Sequence, residues 1–380
     1  MTGSFVIDNA RLVLSDDVVP GWVAIADGRI AEIGEGRPPE RGLDFSGDIL
    51  SPGLVELHTD HLETHLKPRP KVQWPEISAV VAYDAQIAAS GITTVFDSLR
   101  VGSDDEYAPF GGDLWPLINA VSAAERTGIL RSDHKVHLRC EICAGDVLEQ
   151  TQRVVGHHPV QLISLMDHTP GARQFRNVAN WKRYYSGKHS FSDAMLDRFM
   201  KEKEALFSAN YERHRRTLVE LARTHNVVMA SHDDTTVDHV KESIDDGVAI
   251  AEFPTTVEAA SASHAAGIAV LMGAPNVVRG GSHSGNVAAE DLAREGVLDI
   301  LSSDYVPASL LMGAFALASR VDGYGLAQAL KTVTLHPARA AGLNDRGAIA
   351  LGLRADLVRI HVASDLPVVR EVFRDGRRVI

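Results

Sequence analysis

Hydrophobic and polar positions alternate in short stretches over the first fifty residues. The runs are Phe5-Val-Ile7, Arg11-Leu-Val-Leu14, Val23-Ala-Ile25 and Arg29-Ile-Ala-Glu-Ile33, with Asp27-Gly28 between the last two. Asp-Gly flanked by such runs predicts a tight two-residue hairpin. The last thirty-odd residues show the same alternation, in Gly347-Ala-Ile349, Ala355-Asp-Leu-Val-Arg-Ile360, Val368-Val-Arg-Glu-Val-Phe373, then Asp375-Gly376 and Arg378-Val379. Neither end can cover both faces of a sheet by itself. The pattern therefore predicts that residues 1–50 and 346–380 pair into one small β-sandwich domain.

Between the ends the pattern changes to continuous apolar runs separated by segments of helical spacing. Strands are predicted at 53–58, 92–97, 136–141, 160–167, 227–231, 248–252, 268–272 and 298–303, with helical periodicity between them, as in Leu218, Leu221 and Ala222. Runs without alternation are the mark of strands covered on both faces. Eight strand–helix units fill residues 51–345 without remainder, which predicts an α/β fold, a (β/α)8 barrel, over an open doubly wound sheet. None of these strands is followed by a glycine-rich phosphate loop or a dinucleotide fingerprint; Gly280-Gly281 lacks the spacing.

Composition narrows the class. A chain of 380 residues, 45% hydrophobic, can bury a large core, and its net charge of −12 argues against a nucleic-acid or membrane-surface binder. No apolar run is long enough to span a bilayer, and the first residues do not read as a secretion signal. Only Cys140 and Cys143 occur. On a strand, residues three apart point to opposite faces, so this Cys-x-x-Cys suits neither a disulfide nor a shared metal. The expectation is a reduced, cytoplasmic enzyme. The sequence leaves homo-oligomerisation open.

Chemistry collects at the carboxyl ends of the predicted strands, where barrels of this kind build their sites. The first ends in His58-Thr-Asp60, the third in Glu141, the fourth in Asp167-His168, the fifth in Ser231-His232-Asp233 and the eighth in Ser303-Asp304. One such residue would read as a hydrogen-bonded structural group; five strand ends of eight read as a metal centre, one with two ions. Two divalent ions about 3.5–4 Å apart need a bridging carboxylate and lower the pKa of bound water towards about 7. Glu141, which shares a strand face with His137 and Arg139, is the expected bridge. Asp304, on the last strand, is the expected proton acceptor. His61 and Glu252 adjoin these positions with roles left open.

Basic residues gather beside the same ends. Lys67, Arg69 and Lys71 follow the first strand. Residues 168–191, read as a long loop, carry Arg173, Arg176, Lys182, Arg183 and Lys188 with no acidic residue, and the loop 276–286 adds Arg279 and His283. Loops after catalytic strands are frequent binding elements, and several Arg and Lys side chains suit a polyphosphate.

The chain resembles the amidohydrolase superfamily in its turn–strand–metal opening, its terminal β segments and Asp304. More finely it is similar to the PhnM group of the carbon–phosphorus lyase pathway in phosphonate metabolism. The matching segments are 52–60, 68–70, 137–141, 164–168, 230–234, 251–256, 271–276, 279–286 and 301–305. That resemblance implies metal-dependent hydrolysis of α-D-ribose 1-methylphosphonate 5-triphosphate, a small-molecule substrate, to the 5-phosphate and pyrophosphate. It implies His58, Asp60, Glu141, His168, His232 and Asp304 as metal-site residues. Zinc is the first expectation for the metal, with manganese, iron or magnesium as alternatives. Arg139 joins the basic residues above as a substrate contact. The superfamily's usual His-x-His opening is His58-x-Asp60 here, and His61 stands where relatives often carry Asn. The competing reading is a C–N hydrolase or deaminase acting on a small, cyclic-amide-like substrate.

Overall fold

The computed structural model describes residues 4–102, 114–175, 178–189, 192–282 and 285–380. Internal packing groups them into two compact units, Met1–Asp97 with Ala123–Lys135 and Met272–Ile380, and Ser98–Ser122 with Val136–Leu271.

In the first unit, the amino-terminal strands are β1 (Phe5–Val13), β2 (Val18–Ala26), β3 (Arg29–Glu35), β4 (Leu43–Asp44) and β5 (Ile49–Pro52). Strands β6 to β13, given below, belong to the barrel. The carboxyl-terminal strands are β14 (Leu357–Ala363), β15 (Leu366–Arg374) and β16 (Arg377–Arg378). The terminal strands form one mixed sheet in the order β16-β15-β14-β5-β1-β2-β3, with β4 on β1. Antiparallel pairing of β5 with β14, Leu50 opposite Arg359, joins the two chain ends as their alternating patterns predict. Ile7, Leu12, Val23, Ile25, Phe45, Leu50, Leu357 and Phe373 fill the core against this sheet.

Both Asp-Gly pairs are hairpin turns. Asp27 and Gly28 have φ of 49° and 77°, Asp375 and Gly376 of 52° and 68°, the doubly positive backbone of a type I′ turn. The two turns abut: a Cβ on Gly28 would stand 2.6 Å from Asp375 Oδ1. Only glycine fits there on both conformational and steric grounds.

The barrel strands are β6 (Leu54–Thr59), β7 (Ile92–Val101), β8 (Asp133–Glu141), β9 (Leu162–Met166), β10 (Val228–His232), β11 (Ile250–Glu252), β12 (Ala269–Gly273) and β13 (Ile300–Ser302). They follow one another in sheet order, and the described pairings β6–β7, β8–β9, β9–β10, β10–β11 and β11–β12 are parallel. All five residues of β9 and all six of β6 are buried, which is why these runs do not alternate. A parallel bridge from Thr59 to Asp304 joins the last strand's end to the first.

Residues 168–191 are not the long loop the composition suggested. A 3-10 turn at Arg173–Phe175 leads into a helix, Val178–His189, and then the helix Asp193–Thr224, capped by Ser192. The reason is packing: Trp181 and Tyr185, four apart on one helix face, bury against Leu196 and Phe199 together with Phe175. Cys140 and Cys143 are both free and buried; burial pushes the Cys140 thiol up to about 12 and, with the charge of Asp167, raises the Cys143 thiol as well, so neither is poised as a nucleophile at neutral pH. Among the described residues, no helix is long and apolar enough to cross a membrane.

Candidate metal centre

In the second unit, four successive strands deliver polar side chains at their carboxyl ends: Glu141 from β8, Asp167 and His168 after β9, His232 and Asp233 from β10, and Glu252 from β11. Ligand atoms of His168, His232 and Asp233 all lie within 4.8 Å of one another, close enough to share one ion. Asp233, noted at its strand end but not placed among the expected ligands, thus joins the set.

The local chain is built to hold these groups. Asp233 and Phe253, each just past a strand, have φ of 58° and 53°, conformations that persist for non-glycine residues only where the surroundings enforce them. Each kink is followed by a threonine pair. Thr236 and Thr256 cap the next helices by accepting hydrogen bonds from the backbone N–H of His239 and Ala259. Thr255 Oγ1 donates to Thr235 Oγ1 at 2.8 Å, tying the two turns together.

Hydrogen bonding fixes the state of the His232 ring. Its Nδ1 lies 3.1 Å from Glu252 Oε2, and an ionised carboxylate can only accept, so Nδ1 carries the hydrogen and Nε2 presents a lone pair. Ser164 Oγ donates to the same oxygen at 2.8 Å. His137 Nε2 in turn contacts Ser164 Oγ, and its Nδ1 lies 2.9 Å from Ser98 Oγ. The chain Ser98–His137–Ser164–Glu252 is thus a buried polar relay ending on His232. Burial alone would lower the pKa of His232, but the charge of Asp233 and the hydrogen bond and charge of Glu252 outweigh it and raise it, so these acids favour a cation at Nε2, whether a proton or a metal ion in its place. Replacing Glu252 with alanine is expected to weaken metal affinity or activity about 10- to 100-fold, the usual cost of losing such a support, measured by chelator competition. Unchanged affinity and turnover would show that His232 needs no orienting group.

Glu141 is held equally firmly. Its Oε2 is 2.6 Å from His168 Nδ1, its Oε1 accepts from the His168 backbone N–H at 3.1 Å, and Arg100 Nη2 stands 3.7 Å from Oε2. Burial would raise this carboxyl, yet His168, Arg100 and Lys203 hold it well below the usual carboxylate range. It is an anion at any working pH.

In the first unit, β6 carries His58 with Asp60 just beyond it, and Asp304 follows β13. The Asp304 backbone N–H donates to the His58 carbonyl at 3.1 Å, and Thr59 Oγ1 donates to the Asp304 carbonyl at 2.7 Å. Asp304 also has positive φ, 53°. Beneath this seam lies Glu56, which sequence reasoning passed over. Fully buried, it accepts from the backbone N–H of His58 at 2.7 Å and of Ser303 at 2.5 Å. Burial, only partly offset by these bonds, pushes its pKa up to about 8. His61, whose role the sequence left open, points Nε2 at Gln86 Oε1 (3.1 Å), an oxygen it shares with His65 Nε2 (3.0 Å).

The expected substrate-binding cations fall in different places. Arg173 is buried; its guanidinium forms a short ion pair with Asp234 and reaches the His232 carbonyl at 3.3 Å and Glu242 at 3.5 Å. It braces the β10 turn. Lys182 is exposed and pairs with Asp197 at 2.7 Å. Arg139 is half-buried on β8, with its charge bearing on His232. Lys67 is half-buried, Arg69 and Arg279 are exposed, each in the first unit. Arg176 and His283 lie outside the described residues, as do the side chains of Arg183 and Lys188.

Comparison with known proteins accords with this geometry. Residues 191–379 match the amidohydrolase family model. The alpha-D-ribose 1-methylphosphonate 5-triphosphate diphosphatase of Escherichia coli (strain K12) is 47% identical over 381 residues, covering 98% of this chain and 100% of that protein. The chain belongs to this diphosphatase family within the amidohydrolases. Solved structures show the shared fold. The N-isopropylammelide isopropylaminohydrolase from Burkholderia multivorans superposes with a TM-score of 0.66 at 18% identity, over 99% of this chain and 98% of that one. The 5-methylcytosine deaminase from Klebsiella pneumoniae gives 0.67 at 16%, over 99% and 97%. Membership of a metal-dependent family fits the donors found here: two imidazoles and a carboxylate converging, one imidazole held through Nδ1 by a buried carboxylate.

Proposed function

We propose that this protein hydrolyses α-D-ribose 1-methylphosphonate 5-triphosphate to the 5-phosphate and pyrophosphate, as a metal-dependent diphosphatase of phosphonate catabolism. The observation that carries this reading is the 47% identity running the full length of the Escherichia coli enzyme. His58, Asp60, Glu141, His168, His232 and Asp304 are the proposed metal-site residues, with two divalent ions, zinc foremost. Bound there, the ions would supply an activated water and neutralise phosphate charge.

The chain's own groups have defined tasks in this reading. Glu252 holds His232 in one tautomer. His168 and Arg100 keep Glu141 ionised. Asp304 accepts the proton of the attacking water, and cationic side chains offset the charge of departing pyrophosphate. Water adds at the α-phosphorus, and the bond from that phosphorus to the bridging oxygen breaks. The buried, free thiols of Cys140 and Cys143 accord with a reducing, cytoplasmic setting.

Metal-loaded protein incubated with the triphosphate in 18O-labelled water, followed by phosphorus NMR, is expected to yield pyrophosphate, with label entering the sugar phosphate. Orthophosphate as the only inorganic product would overturn the diphosphatase reading. Label in the pyrophosphate would move the attack to the β-phosphorus.

A further inference from the structure

One turn of the long helix Asp193–Thr224 reaches the chain around the donor-bearing strand ends of the second unit. Asn210 Nδ2 donates to the Cys143 carbonyl at 2.9 Å and His214 Nδ1 to the Ile142 carbonyl at 2.8 Å, which pins the backbone just past Glu141. Tyr211, from the same turn, donates to Glu242 Oε2 at 3.1 Å and accepts from Arg173 Nη2 at 3.4 Å. Arg173 follows His168 by five residues and reaches onward to β10. Its Nη1 donates to the His232 carbonyl at 3.3 Å and pairs with the Asp234 carboxylate.

Composition offers Arg173 as a phosphate contact, but its surroundings give it another task. It is 6% exposed, and both terminal nitrogens of its fork are engaged with protein oxygens. Asp234 is equally occupied: its second oxygen accepts from Ser231 Oγ at 2.6 Å and from Ser243 Oγ at 3.0 Å. Arg173 also has φ of 40°, a backbone state that a non-glycine residue keeps only where its contacts enforce it. A buried ion pair with its remaining hydrogen bonds satisfied is costly to break and holds one geometry. The two groups it grips, the His232 carbonyl and the Asp234 side chain, lie on either side of Asp233 in the chain.

We propose that Arg173 is a positioning residue: with Asp234 and Tyr211 it locks the turn carrying His168 to the turn carrying His232 and Asp233, and so sets the spacing of these metal donors. This deepens the metal-dependent diphosphatase reading and rests on it. Ligand atoms of the three donors lie within 4.8 Å of one another, and an ion takes them at about 2.0–2.2 Å. A slip of one turn against the other by about an ångström would carry a donor out of reach. Arginine suits the task because its planar fork holds several oxygens at once, which a lysine cannot do.

The test compares Arg173→Lys, Tyr211→Phe and the double variant with the unaltered protein and with Arg294→Met, an exposed surface cation. The readouts are affinity for zinc and cobalt(II) by chelator competition, the visible spectrum of the cobalt-loaded protein, and kcat and KM for the triphosphate at saturating metal. Arg173→Lys keeps the charge and loses the fork. It is expected to weaken metal binding about 10- to 100-fold, to change the cobalt bands and to lower kcat, with KM altered by less than about threefold. Tyr211→Phe should move metal affinity and the cobalt bands in the same direction by a smaller factor. The double variant should lose less than the product of the two, because the side chains act as one unit. Arg294→Met should change none of these. A folded Arg173→Lys protein with unaltered metal affinity and cobalt spectrum would overturn the proposal. So would a rise in KM at unchanged metal affinity, which would return Arg173 to the substrate. Should Arg173→Lys fail to fold, Tyr211→Phe decides, and unchanged metal affinity there is the refuting result. Metal binding is read without substrate, so an enzyme that left the triphosphate intact would sink the activity reading while these titrations still judged the clamp.

Discussion

Replacing His232 with alanine is expected to lower kcat/KM by about 10³-fold or more and to reduce bound metal, with little loss of folded protein. The magnitude follows from what a catalytic ion supplies, several kcal/mol of transition-state stabilisation, with each 1.4 kcal/mol worth about tenfold in rate. His232 is the residue on which this depends most, because two independent features converge on it. Its Nε2 lies among donors shared with His168 and Asp233, and its Nδ1 is fixed by Glu252 at the end of a buried relay. Alanine removes the donor, while Ser164 Oγ still donates to Glu252 at 2.8 Å, so the metal site should fail before the barrel does. Metal content by mass spectrometry and steady-state kinetics on the same preparation decide it. A His232→Ala protein holding its full metal complement and turning over within threefold of the unaltered enzyme would remove His232 from the centre. The graded comparison with Glu252→Ala adds a second constraint: loss of the orienting group should cost less than loss of the donor.

Much of this arrangement is legible in the chain. The unalternating runs place all eight barrel strands within a few residues, because strands buried on both faces leave no room for polar positions. The Asp-Gly pairs mark both hairpins, since few other dipeptides tolerate two positive φ values. His232, His168 and Glu141 stand out from strand ends alone. The basic segment misleads for a physical reason: composition counts charges in one stretch of chain, while their partners Asp197, Asp234 and Glu242 come from elsewhere. Lys203 is hidden differently. It lies in Lys201-Glu-Lys-Glu204, which reads as a solvated face, yet it falls on the buried stripe Leu196, Phe199, Lys203, Asn210, His214, Leu218 of its helix. A lysine in register with an apolar stripe is the available signal. Glu56 leaves no such trace, because an acid within a buried strand shows its purpose only when the N–H groups of His58 and Ser303 are seen to meet it.

The second large effect concerns stability and lies at the start of β8, seven residues before Glu141. His134 is buried between two acids, with Nδ1 2.9 Å from Asp97 Oδ2 and Nε2 3.4 Å from Asp84 Oδ1. Asp84 also accepts from the backbone N–H groups of Arg131 and Ser132 at 2.8 and 2.9 Å. Burial would depress the His134 pKa, but Asp97 and Asp84 outweigh it and push it up to about 10. Burial likewise opposes ionisation of Asp84, and His134 with the two backbone donors outweighs it, lowering that pKa. The signs then separate. A histidine raised from about 6.5 in the unfolded chain contributes its full stabilisation below pH 6.5 and loses it as pH climbs towards 10. A depressed aspartate contributes above its unfolded value, near pH 4, and loses its share as pH falls below that. Stability from this network should therefore peak between about pH 4 and 6.5 and decline on the alkaline side. His134→Gln, which keeps a donor but not the charge, is expected to cost about 3–5 kcal/mol at neutral pH by removing the cation between two buried carboxylates, of which only Asp84 keeps another, Arg131 Nη1 at 3.1 Å. It should also flatten the decline between pH 6.5 and 10. Urea unfolding of both proteins across that range makes the comparison, and the difference between them isolates His134 from every other titrating group. A variant as stable as its parent, with the same slope against pH, would mean that no charge resides on His134 in the folded protein.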